Sequence, residues 1–356
     1  MEKKKINVLI VEDSLTAQHL LKGILASDPD FNLVGIVTNG RQAVEAVSRL
    51  LPDVVSMDVN MPLMDGLEAT RQIMKENPVP IVIVSSLYET SNLSLSFSIL
   101  KAGALTILPR PFGPGHPEYL ASSRHYRNTL KLMAGIKFPD KGKRESRNIE
   151  PPKVLPSKVK DRQTPGSNEY KIVAIGASAG GPQALQAILS QIPSSFKLPI
   201  LIVQHIDPNF QSGFCEWLNS SSGIPVSIAS DKEMPLPGHA YLPPGNSHLG
   251  VYEEGCIHIS QEPPEANHRP SVNHLFRSVN RVFANQTIAV LLSGMGTDGA
   301  KELKLLKAVG ALTIVQDQES SLVHGMPGEA IRLGAASVVK PLNHIAMEII
   351  NSQKTS

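Results

Sequence analysis

A chain of 356 residues is longer than one typical core and calls for two domains. A hydrophobic fraction of 41% supports well-filled globular cores, and a net charge of +2 supplies no strong field, so neither nucleic-acid nor membrane binding follows from the charge balance. Cys215 and Cys256 make neither a disulfide framework nor a metal cluster, and with no long apolar run and no signal-like N-terminus the chain reads as cytosolic.

In chain order, Ile6–Val11 reads as an apolar strand ending in Glu12 and Asp13, and Ser14 can cap a helix over Leu15–Ala26. Phe31–Val37 is a second strand and Arg41–Leu51 a second helix. Asp53–Met57 is a third strand, ending at Asp58, and Asp65–Asn77 a third helix. Pro80–Val84, ending in Ser85 and Ser86, is followed by a helix over Asn92–Ala102, a strand over Ala104–Leu108 and a last helix over Pro117–Ile136. Strict alternation of strand and helix predicts a parallel sheet covered on both faces.

In such sheets the working residues collect at the carboxyl ends of the strands. Those ends carry Glu12, Asp13, Asp58, Ser85 and Arg110. Carboxylates crowded at one edge repel, and a hard divalent cation such as Mg²⁺ relieves them. With Asp58-x-Asn-Met-Pro-x-Met-Asp-Gly66 added, residues 5–136 resemble the response-regulator receiver domain. The resemblance implies that Asp58 takes a phosphoryl group from a histidine kinase. It also implies that Asp13, Asp58 and the carbonyl of Asn60 hold Mg²⁺ with help from Glu12, and that Ser85 and Arg110 act as the switch. The sequence departs from the family's pattern twice: Arg110 stands where the family has Lys, and Ile107 where it often has an aromatic residue. A guanidinium is planar and bulkier than an ammonium, so contact with the phosphoryl group is altered.

Residues 137–168 are rich in Lys, Arg, Pro, Ser and Gly and lack a periodic apolar face. They read as a flexible basic linker between domains at 1–136 and 169–356. A tether of this kind keeps the two domains at an effective concentration on the order of millimolar, so weak contact is enough for control.

The second domain opens on KIVAIGASAGGP at 171–182. Lys171–Gly176 is a buried strand and Gln183–Ile192 an amphipathic helix, with Pro182 in its first turn. Ser178 therefore sits on a tight strand-to-helix turn with free N–H groups beside it, which fits a nucleophile, and fits equally a glycine turn that only lets the helix pack on the strand. No Gly-Lys-Ser/Thr follows, which argues against a phosphate loop, and a dinucleotide loop needs glycine at Ser178. Leu198–Val203 is a strand ending in Gln204 and His205. Phe210–Leu218 is a helix and Pro225–Ala229 a short strand. His239–Leu242 followed by Leu249–Ile259 suggests an antiparallel hairpin. Val272–Phe283 is a helix, and Thr287–Leu292 a strand running into a glycine-rich turn with Asp298. Ala300–Val309 and Leu342–Asn351 are helices and Glu329–Leu333 is the core of another, with strands at Leu312–Val315 and Ser337–Val339. Two doubly wound α/β domains fit the length.

Ser178, His205 and Asp298 all follow buried strands, where a nucleophile, its base and an orienting carboxylate can meet. Asp298 has a second reading as a helix N-cap. Gly294 and Gly296 let the chain pass close to the site, and the N–H of Met295 is a candidate oxyanion donor. His239, His248, His258 and His274 read as structural or surface residues.

IGASAGGP, Gln204-His205, RPSVNHLF at 269–276, LLSGMGTDG at 291–299 and ESSLVHGMPGEAI at 319–331 resemble the catalytic domain of the chemotaxis methylesterase (CheB) family. Ala179 stands where the family usually has Thr. The resemblance implies hydrolysis of glutamate γ-methyl esters on chemoreceptors and deamidation of particular glutamines, by Ser178, His205 and Asp298, without a cofactor for the esterase reaction. The chain is expected to be a cytoplasmic monomer recruited to receptor clusters, without nucleic-acid binding or membrane insertion, and the close tethering of the two domains predicts that the unphosphorylated receiver covers the catalytic edge. A serine hydrolase for small esters and a non-enzymatic phospho-switch scaffold are the rival readings.

Overall fold

The computed structural model describes residues 4–85, 98–100, 102–136, 169–265 and 268–353. The expected linker at 137–168 lies outside the described residues, as do 92–97 and 101 of the helix expected at 92–102.

The first sheet holds β1 (Ile6–Val11), β2 (Phe31–Val37), β3 (Val54–Met57), β4 (Ile81–Ser85) and β5 (Thr106–Pro109). The order is β2-β1-β3-β4-β5 and every pairing is parallel. Around it lie α1 (Leu15–Ala26), α2 (Gly40–Leu50), α3 (Gly66–Glu76) and α4 (Tyr119–Met133). Side chains along a strand alternate between faces, so β1 feeds two cores. Leu9 and Val11 pack with Ala43, Val47 and Ile73 of α2 and α3. Val8 and Ile10 pack with Leu21 of α1 and Tyr126 and Leu130 of α4. Helix starts fall where short polar side chains can satisfy orphan amides. Ser14, Asn39 and Asp65 accept from the N–H of Ala17, Gln42 and Glu68. Asp65 thus caps α3 where a helical first residue was expected, and Leu51 ends α2 in the left-handed region at φ 46°.

The second sheet has seven parallel strands: β6 (Ile172–Ala177), β7 (Ile200–Gln204), β8 (Val226–Ile228), β9 (Ala240–Leu242), β12 (Thr287–Leu291), β13 (Leu312–Gln316) and β14 (Val338–Lys340). Their order is β14-β13-β12-β6-β7-β9-β8. The chain builds outward from β6 on one side, returns, and builds outward on the other, so the order reverses between β6 and β12. Ligands of such sheets bind at that reversal. On one face lie α5 (Gly181–Leu189), α6 (Gln211–Ser221) and α10 (Leu342–Gln353), contributing Leu185, Phe214 and Ile345. The other is covered by α7 (Val272–Phe283), α8 (Ala300–Ala308) and α9 (Met326–Arg332), contributing Phe276, Leu303 and Met326.

The expected hairpin is narrower than its sequence pattern. β10 (His248–Val251) and β11 (Ile257–Ser260) pair antiparallel, whereas Ala240–Leu242 joins the main sheet in parallel between β7 and β8. Its three residues are buried on both faces, which a solvent-facing hairpin strand does not need. The helix whose core was expected at Glu329–Leu333 runs over Met326–Arg332, with Pro327 in its first turn, where a missing N–H costs nothing.

Candidate active site

β6 and β7 are bonded neighbours with Ala177 opposite Gln204, so one residue further Ser178 and His205 leave the same edge side by side. The pairing continues past the strands: His205 N–H donates to Ala177 O at 3.0 Å. The Gln204 carboxamide ties the two ends together, its Nε2 donating to Ser178 O at 2.8 Å and His205 O at 2.9 Å. On the other side of β6, Ser178 N–H donates to Ser293 O at 3.0 Å, which holds the loop after β12 against the serine turn.

That turn needs two glycines for different reasons. Gly180 has φ 77°, which an L side chain rarely adopts, and a Cβ there would lie 2.8 Å from Ser293 Oγ. Gly294 is required by proximity: its added Cβ would lie 2.8 Å from Ser178 Cβ and 2.3 Å from Met326 Sδ.

Asp298 is 3% exposed and its carboxylate is saturated with donors. His205 Nε2 lies 2.9 Å from Oδ2. The N–H of Val272 donates to Oδ2 at 2.7 Å, and Ser271 Oγ and the N–H of Asn273 donate to Oδ1 at 2.9 Å each. Asp298 therefore does sit at a helix N-terminus, but that of α7, not that of its own following helix, which Gly299 caps. One carboxylate serves both roles because its two oxygens accept several bonds at once. Burial pulls its carboxyl upward, yet the bond and charge from His205 and the amides of Asn273 and Val272 prevail and hold it below the usual value.

With Nε2 committed to Asp298, His205 Nδ1 is buried and has no hydrogen-bond partner among the described residues. Ser178 Oγ is included in that, so the serine and the imidazole share the edge without a hydrogen bond between them, and Nδ1 is the ring nitrogen left open for base work. The sequence reading passed over His268, whose ring stacks on His205 with centroids 3.8 Å apart and planes 5° from parallel. Burial, then the neighbouring His205, push His268 down to about 4, so it is neutral near pH 7. Its only sequence signal is adjacency to the Arg-Pro-Ser run that opens α7.

A cavity of about 570 Å³ lies over this edge. Ser178, His205, His268 and Met295 line it from one sheet, and Ile107 and His125 from the other. Met295 is 48% exposed at its rim. The two halves also touch where Gln183 Nε2 donates to Ala104 O at 2.6 Å, and where Leu322 and Ala179 pack on the core that holds Tyr126 and Leu130.

At the carboxyl edge of the first sheet, Glu12, Asp13 and Asp58 bring carboxylate oxygens within 4.8 Å of one another. Glu12 is 1% exposed. Burial first, and the charge of Asp58 second, push its carboxyl up to about 7 against the pull of Arg110. Arg110 Nη2 lies 2.9 Å from Glu12 and 3.3 Å from Asp58, so the guanidinium takes up part of the acidic charge. The strain left on Glu12 and the all-oxygen donor set fit a hard divalent cation. Asn60 stands in the loop two residues past Asp58, and Ser85 is buried at the end of β4, where its carbonyl accepts from the N–H of Arg110.

Residues 173–349 match the family described as CheB methylesterase, and residues 8–117 the response regulator receiver domain. A protein-glutamate methylesterase/protein-glutamine glutaminase of Geobacter metallireducens is 48% identical over 351 residues, covering 96% of this chain and 99% of its own. A protein of the same description from Nitrosospira multiformis is 45% identical over 346 residues, covering 97% and 96%. Among solved structures, the Thermotoga maritima CheB methylesterase catalytic domain superposes with a TM-score of 0.50 at 36% identity, covering 51% of this chain and 98% of that one.

Proposed function

The chain belongs to the CheB family of protein-glutamate methylesterases/protein-glutamine glutaminases, and from that premise we propose that Ser178, His205 and Asp298 carry its hydrolysis of chemoreceptor glutamate methyl esters. The observation that carries the reading is the bond between His205 Nε2 and the saturated Asp298 carboxylate, which leaves Nδ1 as the nitrogen for base work.

Ser178 Oγ attacks the γ-carbonyl carbon of a methylated glutamate while His205 Nδ1 takes its proton. Asp298 offsets the charge on the imidazolium. The tetrahedral intermediate collapses, its C–O bond to the methoxy group breaks, and methanol leaves with the proton from Nδ1. Water then attacks the acyl-enzyme, giving a proton to the same nitrogen; the acyl bond to Ser178 Oγ breaks, Oγ takes that proton back, and the receptor's glutamate side chain leaves as a carboxylate. With a glutamine side chain, ammonia leaves in place of methanol and the product is again glutamate. The N–H of Met295 at the cavity rim is our candidate donor to the oxyanion, worth roughly 3 kcal/mol.

The receiver half is phosphorylation-responsive, and we assign Asp58 as the carboxylate that attacks phosphorus in line. Glu12, Asp13, Asp58 and the carbonyl of Asn60 would hold Mg²⁺, which when bound offsets charge on the moving group. Arg110, already bonded to Glu12 and Asp58, would turn to the phosphoryl oxygens, with Ser85 beside it. The phosphodonor is a chemotaxis histidine kinase.

The test is methanol release from methylated receptor membranes. Ser178→Ala loses about 10⁴–10⁶-fold in turnover. Retention of full activity by that variant ends the serine-hydrolase assignment.

A further inference from the structure

Behind the catalytic edge, the segment joining β11 to α7 carries Glu262 and Glu265, and the first turn of α7 carries His274. His274 Nδ1 lies 3.6 Å from a Glu262 oxygen and 3.5 Å from Glu265 Oε1. These distances are too long for hydrogen bonds. His274 is 7% exposed, and its Nδ1 is buried with no hydrogen-bond partner among the described residues. An unpartnered buried nitrogen aimed between two carboxylates calls for a ligand.

Zinc holds imidazole nitrogen and carboxylate oxygen at about 2.0–2.2 Å in a tetrahedron, which sets ligand atoms roughly 3.4 Å apart. The two His274 spacings match that edge length, and all three ligand atoms lie within 4.8 Å of one another. We propose that Glu262, Glu265 and His274 form a zinc-class divalent-cation site, with water at the fourth position. It is separate from the acidic cluster of the first sheet and from the esterase residues.

The surroundings are those of a held site. His248 stacks on His274 with centroids 4.6 Å apart, and its Nε2 lies 3.2 Å from the carbonyl of Pro263, between the two glutamates. Arg277 bonds the same Glu265 oxygen, and Glu302, 3.6 Å from Arg277, gives it another carboxylate when the cation takes that oxygen. Glu265 and His268 also exchange two backbone hydrogen bonds, so the site adjoins the residue that stacks on His205.

The experiment uses the full chain, stripped with a chelator and returned to excess Mg²⁺ so that the first sheet's oxygen cluster is held by the hard ion. Zinc is then titrated against a chromophoric zinc chelator, and urea midpoints are measured with and without it. The parent is expected to bind one zinc ion per chain and to rise in midpoint. Glu262→Gln, whose side chain is 65% exposed and does not threaten folding, weakens binding at least about 10-fold and loses the rise. His274→Gln does the same if it folds. No zinc bound by the parent, or equal affinity in the parent and Glu262→Gln, overturns the site; the second result places the zinc elsewhere, for example on Cys256.

Discussion

Asp298 shows how one side chain is specified by everything around it. Three donors from the start of α7 and one imidazole converge on its two oxygens. An amide there would turn its NH₂ toward His205 or toward a helix N–H, and either choice removes an acceptor that a donor needs. Asp298→Asn is therefore expected to lower turnover about 10⁴-fold with the fold retained, read by methanol release and circular dichroism. His268 supplies the pH signature. Its folded value of about 4 lies below the ordinary 6.5, so the unfolded chain binds more protons between those limits. Stability is then fully present above about pH 6.5 and is lost as pH falls toward 4. Urea midpoints across that range should fall with acid, and fall less in His268→Gln. Asp298 was legible in the sequence as an orienting carboxylate, but not as the cap of α7, and His268 was not legible at all. Asp298 looked equally like the cap of its own helix, and His268 was one of eleven histidines with no strand directly before it.

The elements matter through their ends. The catalytic edge exists because β6 is bonded to β7 on one side and β12 on the other, and each strand stops at the same level. The loop after β12 can reach Ser178 only because residue 294 has no side chain. Gly294→Ala should push Ser178 or Met326 aside. Displacements near 1 Å at a reacting group cost about 10²-fold, and overpacking costs about 1–3 kcal/mol. Turnover and urea midpoint should both fall, and an active, equally stable variant would show that the loop yields freely. Strand ends were readable in advance because buried parallel strands are continuous apolar runs. The parallel pairing of Ala240–Leu242 was not, because three apolar residues beside a turn look the same in either direction.

In the whole molecule, the receiver's α4 and β5 face the cavity over Ser178 and His205. We expect this contact to restrain the esterase and phosphorylation at Asp58 to loosen it, since a new dianionic group there changes the charge facing Arg110, which directly follows β5. A chain lacking residues 1–136 should then show a higher basal rate of methanol release, and Asp58→Asn should keep the low rate when a phosphodonor is added. Unchanged rates in both would leave the cavity contact without a regulatory role.

Alternating strands and helices, the acidic run at one set of strand ends, and Ser178, His205 and Asp298 at another are properties of local order, and the amino-acid chain alone determines them. Which nitrogen of His205 faces the carboxylate, which helix Asp298 caps, and how His268, Glu265 and His274 come together depend on the packing of segments far apart along the chain. Periodicity reports which face of an element is buried, but not what is buried against it; only the folded sheet brings those partners within bonding distance.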